Sequence, residues 1–168
     1  MNLTAYYSNY DYSLGQVKKD PNAQDYLDWT SKIITKSIKP DFTYYLTPNN
    51  QLTFGGQYIH YNSHPGNTLV ASGGEKSDLS LDSRYADESA IYIGNEQKLS
   101  NSITLQYGVR YSYFRSLGPG TEYAYIDNET GERKTPILPG TDYKKGEVIK
   151  SYGNLEPRFS MNVGVNPS

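Results

Sequence analysis

The sequence predicts an all-β protein. Tyrosine supplies 18 of the 23 aromatic residues, and Tyr and Thr are residues typical of strands. Apolar and polar residues alternate with a period of two over long segments, as they do in strands that have two different environments. Short turns and long polar connections also follow one another along the chain. These three observations predict an antiparallel meander of about six long strands.

The first three strands are predicted at Leu3–Ser13, at Trp29–Leu46 and over residues 51–62. The first two alternate less cleanly. In the third, every second residue is apolar or glycine: Leu52, Phe54, Gly56 and Tyr58. The residues between them are Gln or Thr, together with Gly55. One face of this strand is therefore expected to be apolar and the other polar.

The last three strands are predicted at Glu88–Leu99, which also alternates less cleanly, from Ile103 onward, and at Leu155–Val165. From Ile103 the odd positions are apolar or aromatic over about eleven residues, and the even positions are polar or glycine. In the sixth strand Pro157 lies among the apolar positions. Because proline has no amide donor for a ladder, we expect a bulge or a local break there.

The connections differ in length at the two ends of the strands. Short turns are predicted at Thr47–Asn50, Leu99–Ser102 and from Val165 to Ser168, where Asn, Pro and Ser favour turn conformations. Long polar stretches cover Leu14–Ala23, Ser63–Asp87 and Ser116–Gly146. The short turns are thus expected on one side of the sheet and the long loops on the other.

This asymmetry is typical of transmembrane β-barrels. Outer-membrane barrels combine short periplasmic turns with longer extracellular loops, and their spanning strands need about 9–11 residues. Strands in soluble sandwiches are usually about five or six residues long. Arg110, Glu156 and Arg158 occupy polar positions of otherwise apolar strands. In a barrel they would face a wet lumen and could pair with one another.

Three segments resemble consecutive barrel strands of TonB-dependent outer-membrane receptors of the Bacteroidetes type. The segment Glu88–Phe114, which ends in LQYGVRYSYF, is similar to a barrel hairpin of that family. Ser151–Met161 resembles the strand that follows it, and Phe42–Gly56 resembles an earlier hairpin. The resemblance covers essentially the whole chain, in the order of the family.

The resemblance implies a receptor with a plug inside a 22-stranded barrel in the bacterial outer membrane. Such a receptor takes up a large solute (a siderophore, vitamin, glycan or peptide) with energy supplied through TonB. Residues 1–168 match only part of the barrel, because a signal peptide, the plug, the TonB-contacting segment and a C-terminal aromatic residue are not seen. We therefore expect a barrel segment whose partners are outer-membrane lipid and the rest of the barrel and plug.

No residue is assigned to catalysis, to a cofactor or to a metal. The sequence holds no GxSxG, HExxH or phosphate-binding glycine motif, so we do not expect an enzyme. His60 and His64 are a weak metal pair, because positions four apart on a strand lie roughly 13 Å from each other. Asp78, Asp82, Asp87 and Glu88 lack the spacing of a calcium loop. Tyr123 and Tyr125 are the better candidates for ligand contact in a loop.

Other classes of protein fit less well. A net charge of −2 and only isolated lysine pairs do not favour nucleic-acid binding. The absence of cysteine excludes disulfides and thiolate metal sites. The main alternative is a soluble all-β carbohydrate-binding module, which would need a second apolar face and shorter strands. A hydrolase fragment is the third alternative and has no recognisable motif.

Overall fold

A computed structural model describes residues 1–15, 26–72, 75–125 and 136–165. These residues form strands and connections, without a helix among them. The strands are β1 (Asn2–Gly15), β2 (Tyr26–Thr47), β3 (Asn50–Ser72), β4 (Glu75–Ser80), β5 (Arg84–Lys98), β6 (Ile103–Leu117), β7 (Gly120–Tyr125), β8 (Pro136–Tyr143) and β9 (Val148–Val163).

Six long strands form one antiparallel meander in the order β1-β2-β3-β5-β6-β9. The short strand β4 extends this sheet as a partner of β3, and β7 pairs with β8 in a separate two-stranded sheet. Each long strand therefore lies beside the long strand that precedes it in the chain. The predicted all-β meander of about six long strands is confirmed. Among the described residues the sheet is open, and β1 and β9 each pair on one side only.

The two short turns that lie within the described residues are confirmed. The turn between β2 and β3 is closed in part by a hydrogen bond from the Asn49 amide to Thr47 Oγ1, at 3.3 Å. In the turn between β5 and β6 the amide of Leu99 donates to the carbonyl of Ile103 at 2.9 Å. The turn predicted from Val165 to Ser168 lies mostly outside the described residues.

The predicted long loops are partly wrong, because they contain strands. Within 63–87, β3 continues to Ser72 and pairs with β4, and within 116–146 the strands β7 and β8 form a hairpin. A ladder uses backbone groups, so a polar composition does not prevent pairing where a hairpin brings two segments together. Of the stretch Leu14–Ala23, only its first two residues are described, and both belong to β1.

The break expected at Pro157 is also wrong. The register between β6 and β9 runs through Val109 and Pro157 without a shift, and the irregularity in this pair lies at Ser116 and Leu117. Because β9 has only one neighbour, a residue without an N–H is tolerated where that group would point to the free edge.

The sheet has almost no buried core. Among the described residues, the only buried hydrophobic side chains are those of Ile59, Ala90 and Leu117. No described side chain is fully buried. A single layer of strands leaves both of its faces uncovered. The candidate functional surfaces are therefore the two faces of the sheet.

Candidate functional site

The register places a large set of apolar strand residues on one face of the sheet. Residues that lie opposite each other on neighbouring strands share a face, and successive residues alternate between faces. Applied along the ladders, this rule groups the following residues on one side, here called the apolar face: Leu3, Ala5, Tyr7, Ile34, Ile38, Phe42, Tyr44, Leu52, Phe54, Tyr58, Ile91, Ile93, Ile103, Leu105, Tyr107, Val109, Tyr111, Tyr113, Leu155, Phe159, Met161 and Val163.

Much of the apolar face is open. Phe159 is 72% exposed and Ile91 is 67% exposed, although both lie within long strands. Leu155, Met161 and Val163 are exposed by more than half as well. Soluble monomers rarely leave so many neighbouring apolar side chains in contact with water. This surface therefore requires a contact that removes it from water.

On each long strand the residues of the apolar face form a segment, and together these segments form a band across the sheet. The position of the segment shifts along the strands from one edge of the sheet to the other. Its midpoint lies level with Lys39 on β2 and at Phe159 on β9. In the register, however, Phe159 is level with Tyr44 of β2, five positions further along that strand. Projected onto β2 through the register, the midpoints of β3, β5 and β6 lie between Lys39 and Tyr44, and the midpoint of β1 lies just before Lys39. The direction of the shift does not reverse at any step from β1 to β9. The band therefore crosses the strands obliquely.

The angle of this band follows from the spacing of the sheet. Five residues correspond to about 17 Å along a strand, and the four steps from β2 to β9 correspond to about 19 Å across the sheet. The band is thus inclined by about 40° to the perpendicular of the strands. Strands of membrane barrels are tilted by about 35–45°.

The opposite face, here called the polar face, carries a network centred on Arg110. Its Nη2 donates to Gln57 Oε1 at 3.0 Å and lies 3.7 Å from Glu88 Oε1. Its Nε donates to Ser112 Oγ at 3.0 Å, and that hydroxyl donates to Glu156 Oε1 at 2.7 Å. Ser112 therefore relays the contact between Arg110 and the acid.

Glu156 also accepts a hydrogen bond from Arg158 Nη2 at 3.1 Å. Arg110, Glu156 and Arg158 share a face in the register, as predicted from the sequence. The contacts of Arg110 with Gln57 and Glu88 were not predicted. Arg110 has no direct bond to Glu156 in the structure.

A second part of the network surrounds Tyr92. Its hydroxyl donates to Asp41, and its ring lies across Gly55, where an added Cβ would come within 2.8 Å of the ring carbon that bears the hydroxyl. The cations of Lys39 and Arg110 lie 5.7 and 6.0 Å from the ring centroid. Glycine is needed at position 55 because the ring and the backbone of the neighbouring strand occupy the space of a side chain.

A buried acid, Asp87, lies at the end of the apolar face from which the long connections leave, here called the loop side. Asp87 is 6% exposed and accepts hydrogen bonds from Tyr58 Oη at 2.9 Å and Arg115 Nη2 at 2.9 Å. His60 Nδ1 lies 2.7 Å from the same carboxylate. Burial raises the pKa of Asp87, but the hydrogen bonds from His60 and Tyr58 and the charge of Arg115 outweigh it, so that the pKa lies below its usual value.

The two histidines have separate partners. His60 contacts Asp87, whereas His64 Nδ1 lies 2.7 Å from Ser83 Oγ. The described residues contain no group of three or more His, Asp or Glu side chains that could hold a metal ion. Within the loosely acidic run, Asp87 and Glu88 point to opposite faces of β5, since they are consecutive residues of a strand.

Several exposed tyrosines lie outside the apolar face. Tyr123 and Tyr125, singled out in the sequence, lie on β7 with 38% and 52% of their surface exposed. A denser group on β1, formed by Tyr6, Tyr10 and Tyr12, was not predicted. Their even spacing, which places them on one face of a strand, is the signal that could have identified them.

No family model, no curated protein and no solved structure matches the chain. The part of the chain that the structure describes includes no helix of a length and hydropathy that would cross a membrane. The arrangement of charges on the polar face is one of satisfied pairs.

Proposed function

We propose that this chain is a segment of the wall of an outer-membrane β-barrel receptor, of the kind that takes up a large solute with energy from TonB. Its apolar face contacts lipid, its polar face lines the lumen, and its long connections lie outside the cell. The role is transport and reception rather than catalysis. The observation that carries the proposal is the exposed apolar band that crosses the strands at about 40°.

The band is hard to explain in a soluble sheet. In a soluble sandwich the apolar face is buried against a second sheet, whereas here the described chain offers no second layer. The run of alternating residues from Ile103 to Tyr113 is about 35 Å long. At a tilt of about 40° it rises about 27 Å, close to the apolar band of about 25 Å of membrane barrels.

The polar face supports the same orientation. Arg110 lies two residues from Gly108, the midpoint of the band on β6, and Arg158 is next to Phe159, the midpoint on β9, but both arginines are on the other side of the sheet. Charged groups at that depth need water or protein beside them, because their burial in lipid is costly. A lumen that contains water or a plug domain provides such surroundings.

Completion of the barrel requires more strands. The six long strands leave two free edges, and the smallest transmembrane barrels have about eight strands. We therefore propose the remainder of the barrel, a plug and outer-membrane lipid as partners. TonB would act through the plug rather than through these strands. The receptor class rests on the resemblance of the three segments described above.

The first test is the partitioning of the expressed full chain between buffer and detergent or lipid, followed by far-UV circular dichroism. The proposal predicts a strand signal that depends on detergent or lipid, and aggregation in plain buffer because of the free edges and the apolar face. A monomer with a sharp thermal transition in plain buffer would contradict it. That result would favour a soluble carbohydrate-binding module.

A further inference from the structure

The polar face of β1 and β2 carries an aromatic patch on the loop side of the charge network. The patch consists of six exposed side chains that the ladder places on one surface: Tyr6, Tyr10, Tyr12, Leu14, Trp29 and Ile33. Tyr10 is 61% exposed, the most of the three tyrosines. The rings of Tyr10 and Tyr12 are carried by alternate residues about 7 Å apart, and the row from Tyr6 to Tyr12 spans about 20 Å.

The patch has no formal charge. The residues that separate its rings on the same face are hydroxyl-bearing: Ser8, Ser31, Thr35 and Ser37. The charged residues of the same strand segments, which are Asp11, Lys32 and Lys36, lie on the apolar face toward the long connections. Lys36 is flanked there by Ile34 and Ile38, and its long side chain can reach the membrane interface. Because successive residues alternate between faces, this separation of charge is a property of the fold.

Trp29 is held in place at the end of the patch. Its indole packs against Gly66 of β3, where an added Cβ would lie 2.7 Å from the ring. It nevertheless keeps about a third of its surface exposed. Opposite Trp29 on β1 lies Leu14, and opposite Ile33 lies Tyr10. The backbone positions of these side chains are therefore fixed by the ladder before any ligand arrives.

We propose that this patch binds a neutral oligosaccharide. The C–H faces of a sugar ring are apolar and stack on aromatic rings, while its hydroxyls hydrogen-bond to Tyr, Ser and Thr side chains. A row of several rings suits a chain of sugar units better than a single small ring. The lack of charge favours a neutral ligand over anionic chelates, acidic glycans and charged peptides. The inference rests on the proposed function only in placing the patch at the outer mouth of the lumen.

The chain itself provides the readout, because Trp29 is its only tryptophan. The full chain, folded in a zwitterionic detergent without a sugar headgroup, is titrated with neutral gluco-, xylo- and fructo-oligosaccharides while the fluorescence of Trp29 is followed. A saturable change with at least one of these is expected. Oligogalacturonate, which is acidic, should give none.

Two matched variants test the location. Tyr10→Ala should weaken binding by about twofold to tenfold, the range expected for the loss of one stacked ring. Tyr7→Ala, a change of the same type on the opposite face of the same strand, should leave the affinity unchanged. Calorimetry with Trp29→Phe, which keeps a ring but removes the fluorescence, should still detect binding. Far-UV circular dichroism checks that every variant is folded.

The outcomes separate the two proposals. No change with any of the three neutral sugars, an equal response to the acidic one, or equal effects of Tyr10→Ala and Tyr7→Ala would overturn the inference. A chain that inserts into membranes but fails to bind overturns this inference alone. A chain that binds sugars yet folds in plain buffer overturns the membrane proposal and leaves the patch as the binding surface of a soluble domain.

Discussion

An arginine placed at Phe159 should destabilise the protein in a bilayer much more than in water. The side chain of Phe159 is 72% exposed within the chain, so its replacement removes few contacts with other residues. At a surface in water such a change alters the free energy of unfolding by about 0.5 kcal/mol or less. An arginine on the lipid face at the middle of the bilayer costs about 2–4 kcal/mol. This is about 30- to 900-fold in the folding equilibrium.

The oblique direction of the band gives a second prediction for the same experiment, at a residue of the apolar face that lies away from the middle of the band. Tyr44 lies level with Phe159 in the register but about 17 Å along its strand from the midpoint of the band. At a tilt of about 40° this displacement is about 13 Å along the membrane normal, which is the edge of the hydrocarbon core. Tyr44→Arg should therefore cost only about 0–1 kcal/mol.

The assay is the reversible unfolding of the full chain in lipid vesicles with urea, followed by far-UV circular dichroism. Ser160→Arg is the matched control, because Ser160 is the exposed neighbour of Phe159 on the polar face. It should be close to neutral. A cost at Ser160 that equals the cost at Phe159 would refute the assignment of the faces. Equal costs at Phe159 and Tyr44 would refute the oblique band.

Three further predictions concern the interior of the sheet and its pH dependence. Gly55→Ala should lower the free energy of unfolding by about 1–3 kcal/mol, because its Cβ would collide with the ring of Tyr92. Gly56→Ala is the control and should cost less, since its Cβ meets no atom closer than 3.4 Å. Similar losses for the two variants in urea titrations would contradict this. Tyr92→Phe keeps the ring but removes the hydrogen bond to Asp41, and should cost about 1.5–3 kcal/mol by the same measurement; a neutral result would show that this bond contributes nothing. Asp87 lies on the loop side of the spanning part of β5, and its lowered pKa means that it binds protons more weakly in the folded state than in the unfolded state. Its stabilisation should therefore be constant above about pH 5 and decrease as the pH falls below about 4, and Asp87→Asn should remove this part of the acid dependence of the melting temperature; an unchanged pH profile in the variant would rule it out.

The order of the long strands follows from local patterns in the sequence. The alternation from Ile103 onward and the Asn, Pro and Ser residues of the two turns are short-range signals, and a meander then pairs each long strand with the previous one. The strands inside the 63–87 and 116–146 stretches do not follow, because polar segments form ladders only when a hairpin aligns them. Composition alone contains no information on that alignment.

The partners of the charged residues were the least predictable part of the site. Arg158 and Glu156 are two residues apart on one strand, so their ion pair was foreseeable. Arg110 contacts Gln57 on β3, a strand that is not its direct neighbour in the sheet, and this contact depends on the register of three strands. The oblique band depends on the same information. Each strand shows its own apolar segment in the sequence, but only the register shows that the segments drift.

The most direct test of the central claim, that one face of the sheet contacts lipid, is quenching of a single tryptophan by brominated acyl chains. In a Trp29→Phe background, tryptophan is placed at Phe159 or at Ser160, neighbours on β9 whose side chains lie on opposite faces. The account predicts strong quenching at position 159 and weak quenching at position 160 after the full chain is folded into brominated-lipid vesicles. Equal quenching at the two positions, or stronger quenching at 160, would contradict it.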